Sequence, residues 1–286
     1  MLQKQINSGF FIIFETMQSV NTETIKSEPQ TIYSAALGRS VQADLYLPPY
    51  SPFNQLPVLL INDGQELDKM LFKELLDKLY HSNSIQPLLC VGIHAGPQRK
   101  LEYGTAHAPD YHSRGLHAPR YSFFVLRELM PFIRKLLPET DFTDWGFAGF
   151  SLGGLSALDI AWAHPQVFRT AGVFSGSLWW RSVDKDDPQY RDESHRLMHN
   201  LIHDGHYAPG FKFFFECGTA DEEEDRNNNG IIDSIDDTKD LIAELIKKGY
   251  SAKEDIFYLE IPGGTHDAAT WALAMPDFLR WGWGKK

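Results

Sequence analysis

The sequence predicts an α/β fold with a mostly parallel central sheet, a leading antiparallel hairpin and helices on both faces. Three observations predict it. From residue 57 onward, short apolar runs alternate with segments whose apolar residues recur at helical spacing, the pattern of strands joined by crossover helices. The runs are unbroken, as in Val58-Leu59-Leu60-Ile61, and strands of that kind are covered on both faces. Upstream, residues 31–37 and 40–47 alternate apolar and polar side chains around Gly38-Arg39, which reads as a hairpin.

In order along the chain, residues 1–30 read as an N-terminal extension. Its apolar run, Phe10-Phe11-Ile12-Ile13-Phe14, is short for a secretory core and has no small-residue cleavage site after it. Pro48-Pro49 ends the hairpin, and 57–62 is the first buried strand, turned by Asp63-Gly64-Gln65. Residues 68–81 carry Met70, Leu71, Leu75, Leu76 and Leu79 at helical spacing, and 87–93 is the next strand. The stretch 94–119 has no periodicity and is rich in Gly, His, Pro and Tyr; loops this long inside a compact domain are commonly functional. Residues 121–137 form an amphipathic helix, 145–150 a strand that turns into a helix ending near His164-Pro165, and 170–175 another strand. A small polar insertion occupies 178–210, with a helix over 194–203. A strand at 211–217, a helix at 239–248 closed by Gly249, a strand at 255–260 and a helix at 266–281 complete the chain. No repeat or low-complexity linker interrupts 31–286, which reads as a single domain.

Charge narrows the function classes. The 286 residues carry a net charge of −11, from 27 basic and 38 acidic side chains, so neither a nucleic acid nor an anionic membrane is an expected partner. Much of the acidity falls in 221–240, which points to one local site. The cysteines, Cys90 and Cys217, each lie in an apolar run and read as reduced core residues. No apolar stretch approaches the ~20 residues of a membrane span.

The chemistry gathers around Gly149-Phe150-Ser151-Leu152-Gly153, a G-x-S-x-G pattern at a strand-to-helix junction. Small residues two before and two after Ser151 let strand and helix approach, with the hydroxyl at the apex. A serine needs a base, and the base an orienting carboxylate. In the order Ser, acid, His, each partner should follow the end of a strand. Asp221 does so after Phe213-Phe214-Phe215-Glu216-Cys217, and His266 does so in Gly263-Gly264-Thr265-His266-Asp267. Glu222, Glu223, Glu224 and Asp225 crowd the same loop as Asp221, so a neighbouring carboxylate is the alternative acid. Oxyanion donors are expected from the backbone N–H groups of Leu152 and Gln65.

These pieces, with Arg99, Glu102-Tyr103, Tyr121, Arg127-Glu128-Leu129-Met130-Pro131-Phe132-Ile133 and Phe174-Ser175-Gly176-Ser177-Leu178-Trp179-Trp180, resemble the esterase family of α/β-hydrolases. That family holds enterochelin esterases, feruloyl esterases, esterase D-type S-formylglutathione hydrolases and mycolyltransferases. The resemblance spans about residues 31–281 and is closest to the enterochelin-esterase branch. It implies an α/β-hydrolase fold, nucleophile Ser151, base His266, acid Asp221, no cofactor for catalysis, and an ester substrate of siderophore or acylated-carbohydrate type. Some siderophore esterases of the family work with a Ser-His dyad. Acyl transfer on the same residues is the alternative within catalysis, and a non-catalytic, calcium-stabilised binding module the alternative outside it.

A second pattern lies in the acidic loop. Residues 225–236 read D-x-N-x-N-G-x-I-D-x-x-D, placing Asp225, Asn227, Asn229, Asp233 and Asp236 at calcium-ligand positions with the Ile231 carbonyl between them. Asp236 stands where a bidentate Glu is usual, which resembles dockerin-type loops. The expectation is a structural Ca²⁺ that orders the segment next to Asp221.

Other residues attract attention. Arg99, Glu102, Tyr103, Trp179 and Trp180 are candidates for the substrate cleft, with an Arg99–Glu102 ion pair the competing reading. His107, His112 and His117 suit a cleft wall. His195, His199 and His203, four apart, read as a solvated helix face. Reduced cysteines and the missing signal favour the cytoplasm, whereas a calcium loop suits a periplasmic or extracellular setting.

Overall fold

The computed structural model describes residues 25–49 and 54–285; the Phe10–Phe14 run and most of the expected extension lie outside them. Eight strands form one sheet: β1 (Lys26–Ser34), β2 (Arg39–Leu47), β3 (Gln55–Asn62), β4 (Leu89–Ile93), β5 (Asp141–Phe150), β6 (Phe168–Phe174), β7 (Lys212–Ala220) and β8 (Ile256–Thr265). Their order is β1-β2-β4-β3-β5-β6-β7-β8. β1–β2 and β2–β4 are antiparallel, and every other pairing is parallel. The hairpin starts earlier than expected, because the polar residues 26–30 pair along an exposed edge strand where no apolar alternation is required.

The helices are α1 (Phe72–His81), α2 (Arg99–Glu102), α3 (Ala118–Phe123), α4 (Met130–Leu136), α5 (Leu152–Ala163), α6 (Asp192–His195), α7 (Leu197–Asp204), α8 (Asp233–Lys248) and α9 (Ala268–Trp283). The single helix expected at 121–137 is instead α3 and α4 joined by a π-helical stretch, Phe124–Leu129, that ends two residues before Pro131. A proline ring cannot sit against a regular preceding turn, and the widened turn absorbs it.

Two cores form, one on each face of the sheet. Leu60, Phe147, Phe213 and Phe215 face Tyr121, Phe124, Leu155 and Leu241, whereas Leu59, Ile61, Phe174 and Phe214 face Leu76, Trp271 and Phe278. Adjacent residues of one strand thus serve opposite cores, which is why the strands read as continuous apolar runs. α5 is buried along most of its length, consistent with a sequence that has no polar face. The parallel strands all point their C-terminal ends to one edge, and the turns after β3, β5, β7 and β8 meet there.

Candidate active site

Ser151 sits between β5 and α5 at φ 55°, ψ −123°, a backbone region that costs a non-glycine residue about 1–3 kcal/mol. Its surroundings hold it there. The Ser151 N–H donates to Phe174 O at 2.8 Å, and its carbonyl accepts from Gly154, Leu155 and Ser177 at 3.1–3.2 Å. The motif glycines are steric necessities: a Cβ on Gly149 would come 2.5 Å from the Gly153 carbonyl carbon, and one on Gly153 2.4 Å from Asp63 Oδ2. Ser151 Oγ lies 3.5 Å from Ser177 Oγ. Leu152 is the first residue of α5, in the turn whose N–H groups have no intrahelical partner.

Facing it is the turn after β3. Asp63 adopts φ 60° and Gly64–Glu66 make one 3₁₀ turn, with Gly64 so close to β4 that a Cβ would stand 2.3 Å from the Gly92 carbonyl carbon. The Gln65 side chain accepts from Ala95 N at 3.0 Å, which fixes the residue whose N–H is the second expected oxyanion donor. Arg99 binds both carboxylate oxygens of Asp63, at 2.6 and 2.7 Å, and also donates to Phe150 O at 3.3 Å. Burial works against the Arg99 charge, but the Asp63 pairing outweighs it and raises the pKa further.

His266 lies between β8 and α9, whose N-terminus is capped by Asp267 accepting from Thr270 N at 3.0 Å. The imidazole stands edge-on to Trp271, centroids 5.6 Å apart. Loss of hydration pushes its pKa below the ordinary value, Asp221 pulls it back up and Arg99 pushes it down. Asp221 follows β7 directly, and its Oδ1 occupies the space over Gly218, 2.7 Å from where a Cβ would stand. Both its carboxylate oxygens are buried with no hydrogen-bond partner among the described residues. Burial raises its pKa, opposed by the Ser175 hydroxyl and by His266. Ser151, His266 and Asp221 therefore end three strands at one edge of the sheet, and the latter two sense each other electrostatically.

Three further residues border this edge; Glu216 and Trp271 have no motif of their own in the sequence, whereas Ser175 lies in the Phe174–Trp180 stretch. Ser175 follows β6 at φ 46°, Trp271 on α9 donates its indole N–H to Ser175 Oγ at 2.9 Å, and Glu216 on β7 is 1 % exposed. Both Glu216 oxygens lack partners among the described residues; burial, with the Asp221 charge adding to it, pushes the carboxyl up to about 8. A carboxylate inside an otherwise apolar strand run was the available signal for Glu216.

The expected cleft residues divide. Arg99 and Glu102 do not pair with each other: Glu102 is 2 % exposed and bound by Arg39. Tyr103 and Trp180 are fully buried and belong to the core behind the wall, because Gly104 and Gly115 close tightly over the Trp180 ring. Trp179 stays half-buried, with the Arg114 guanidinium 4.7 Å from its ring centroid. The loop 94–119 is anchored on α5, where Ser156 Oγ accepts from Gly104 N at 2.7 Å and Asp159 from Ala106 N at 2.9 Å. His107 and His112 are exposed on that loop, and His117 is partly so. The imidazoles of 195–203 do not share a solvated face: the helix breaks at Arg196, and His199 is buried with Nε2 on Asp237 O at 2.8 Å. Cys90 and Cys217 are buried and free. No helix among the described residues is long and apolar enough to cross a membrane.

Known proteins agree with this architecture. The chain is 30% identical over 149 residues to the iron(III) enterobactin esterase of Escherichia coli (strain K12), a match covering 51% of this chain and 32% of that protein. The chain thus spans about a third of the curated relative. The enterobactin esterase of Shigella flexneri superposes with a TM-score of 0.66 at 22% identity, over 90% of this chain and 60% of that one. The BES protein from Bacillus cereus superposes with a TM-score of 0.66 at 19% identity, over 98% of both chains. Residues 34–281 match the family model described as "Putative esterase", and the chain belongs to that esterase family, with an α/β-hydrolase fold.

Proposed function

We propose that this esterase cleaves carboxylic esters through an acyl-serine intermediate on Ser151. The observation that carries the reading is the strained Ser151 apex, φ 55°, at the sheet edge shared with His266 and Asp221. His266 takes the Ser151 proton as Oγ attacks the ester carbonyl, and then returns it to the leaving alcohol. The Leu152 and Gln65 N–H groups receive the negative charge that develops on the carbonyl oxygen. Water, activated by the same imidazole, hydrolyses the acyl-enzyme. Asp221 holds the imidazole tautomer and stabilises the imidazolium.

For substrate we propose a small-molecule ester that carries an aromatic group, of siderophore type. The relatives named enterobactin esterases support it, as does the Trp179 ring beside Arg114 within two residues of Ser177. Hydrolysis of siderophore, feruloyl and acetyl-sugar esters by wild type and Ser151→Ala tests both parts. Serine-dependent turnover led by the siderophore ester is expected; a leading acetyl-sugar ester would reject the substrate class, and turnover by Ser151→Ala the mechanism.

We also propose a structural calcium ion in the loop 225–236. Asp236 Oδ2 meets the amides of Asn227 and Asn229 at 2.9 and 2.7 Å, so three of the expected ligand side chains converge. The Asp225 carboxylate caps the turn through Asn229 N and Gly230 N, at 3.1 and 2.9 Å, and Gly230 takes φ 84°. Asp233 departs from the pattern, because Arg226 engages its Oδ1 through both backbone and guanidinium. Asp225, Asn227, Asn229, the Ile231 carbonyl and Asp236 would hold the ion, and its contribution is to order the segment that follows Asp221.

A further inference from the structure

Around Asp221, the Ser175 proton, the Glu216 carboxyl and both oxygens of the Asp221 carboxylate are left without an assigned hydrogen bond among the described residues. An indole N–H can only donate, so Ser175 Oγ, 2.9 Å from Trp271 Nε1, is an acceptor in that contact. The serine proton is then directed away from Trp271 and needs an acceptor of its own. Ser175 is 2 % exposed, so water is not readily available to it. The Asp221 carboxylate, both oxygens buried and outside hydrogen-bond geometry with any described residue, interacts with the Ser175 side chain and is the acceptor in need. From the Trp271 contact and this orphaned carboxylate we infer that Ser175 is a positioning residue: its hydroxyl donates to Asp221 and aims that carboxylate at His266.

The backbone supports the assignment. Ser175 is held at φ 46°, a conformation L-residues avoid, by its N–H donating to Glu216 O at 2.8 Å. Glycine would adopt this φ without strain, so a hydroxyl side chain at this position is retained against the local backbone preference. Trp271 is locked in turn by stacking on Phe150, centroids 4.8 Å apart and 17° from parallel, and it also presents its ring to the His266 imidazole. One indole therefore touches the base and orients the serine that serves the acid. The Ser175 hydroxyl also favours the ionised form of Asp221 against the burial that raises its pKa.

This inference rests on Asp221 acting as the acid of the proposed site, and the experiment separates the two. Ser175→Gly removes the hydroxyl and relieves the backbone but leaves the buried Trp271 N–H without its acceptor, so the melting temperature should change little while kcat falls roughly 10–100-fold with KM little changed. Trp271→Phe, which keeps the ring and loses the N–H, should lower kcat less. In an Asp221→Asn background, Ser175→Gly should cost almost nothing more, because its target is gone. Wild-type kcat in Ser175→Gly, or an equal further loss in the Asp221→Asn background, overturns the inference while leaving the triad standing. Wild-type kcat in Asp221→Asn overturns the acid assignment itself. Should glycine at 175 prevent folding, Trp271→Phe with and without Asp221→Asn carries the same comparison.

Discussion

Arg99 closes on Asp63 with two hydrogen bonds of 2.6 and 2.7 Å, and Asp63 is only 2 % exposed. Through its third bond, to Phe150 O, the same guanidinium ties the turn after β3 to the residue before Ser151. The pair sets the spacing between the two expected oxyanion donors.

Arg99→Ala leaves a buried carboxylate without its partner. Chemical unfolding should show a loss of about 3 kcal/mol, and ester hydrolysis a fall in kcat of at least ~10-fold. Adding Asp63→Asn should recover part of the stability and none of the activity. Full recovery of both would mean the pair is dispensable to the turn.

Glu216 gives a stability prediction with a definite sign. Its carboxyl is held at about 8 in the fold against an ordinary 4.5, so between those values the folded protein binds the extra proton. Stability is therefore fully present below pH 4.5 and declines as pH rises toward 8. Glu216→Gln removes the titration. Its unfolding free energy should match wild type near pH 5 and exceed it near pH 8.5, by an amount on the order of a few kcal/mol. A difference that is constant with pH contradicts this.

With His266 as the proposed base, its ionisation sets the acid limb of catalysis. Burial holds the imidazole pKa below 6.5, so kcat/KM should stay high to pH values under that figure. Asp221→Asn removes the group that raises it, so the limb should move lower still while kcat drops ~10²–10⁴-fold. A limb above 6.5 in wild type is inconsistent with the crowding described for His266.

Calcium should act on stability first. Millimolar Ca²⁺ should raise the melting temperature over EDTA-treated protein, and Asp225→Ala or Asp236→Ala should abolish the difference. Equal melting temperatures with and without the metal would remove the ion from the account.

Much of the fold and part of the site are legible in the order of residues. β3, β4, β5 and β7 announce themselves because both faces of a central parallel strand are apolar. The first strand is half hidden, since an edge can be polar. α8 begins at Asp233, well before the expected 239, because the acidic loop itself supplies the first turn of the helix. Ser151, Asp221 and His266 can be placed at strand ends from the sequence alone. Ser175 and Glu216 are visible there only as a strand-end serine and a carboxylate in an apolar run, and Trp271 not at all, since their meaning arises only when β6, β7 and α9 are brought together. Tyr103 and Trp180 fail as cleft residues for the converse reason: sequence proximity to the site does not reveal which way a large ring turns.

The most direct measurement is where an acyl-type probe attaches. Wild-type protein treated with a fluorophosphonate and mapped by mass spectrometry should carry one adduct, on Ser151, formed in step with loss of ester hydrolysis. Ser151→Ala should carry none. Hydrolysis that survives full labelling of Ser151, or an adduct on another residue that accounts for the inactivation, would contradict the account.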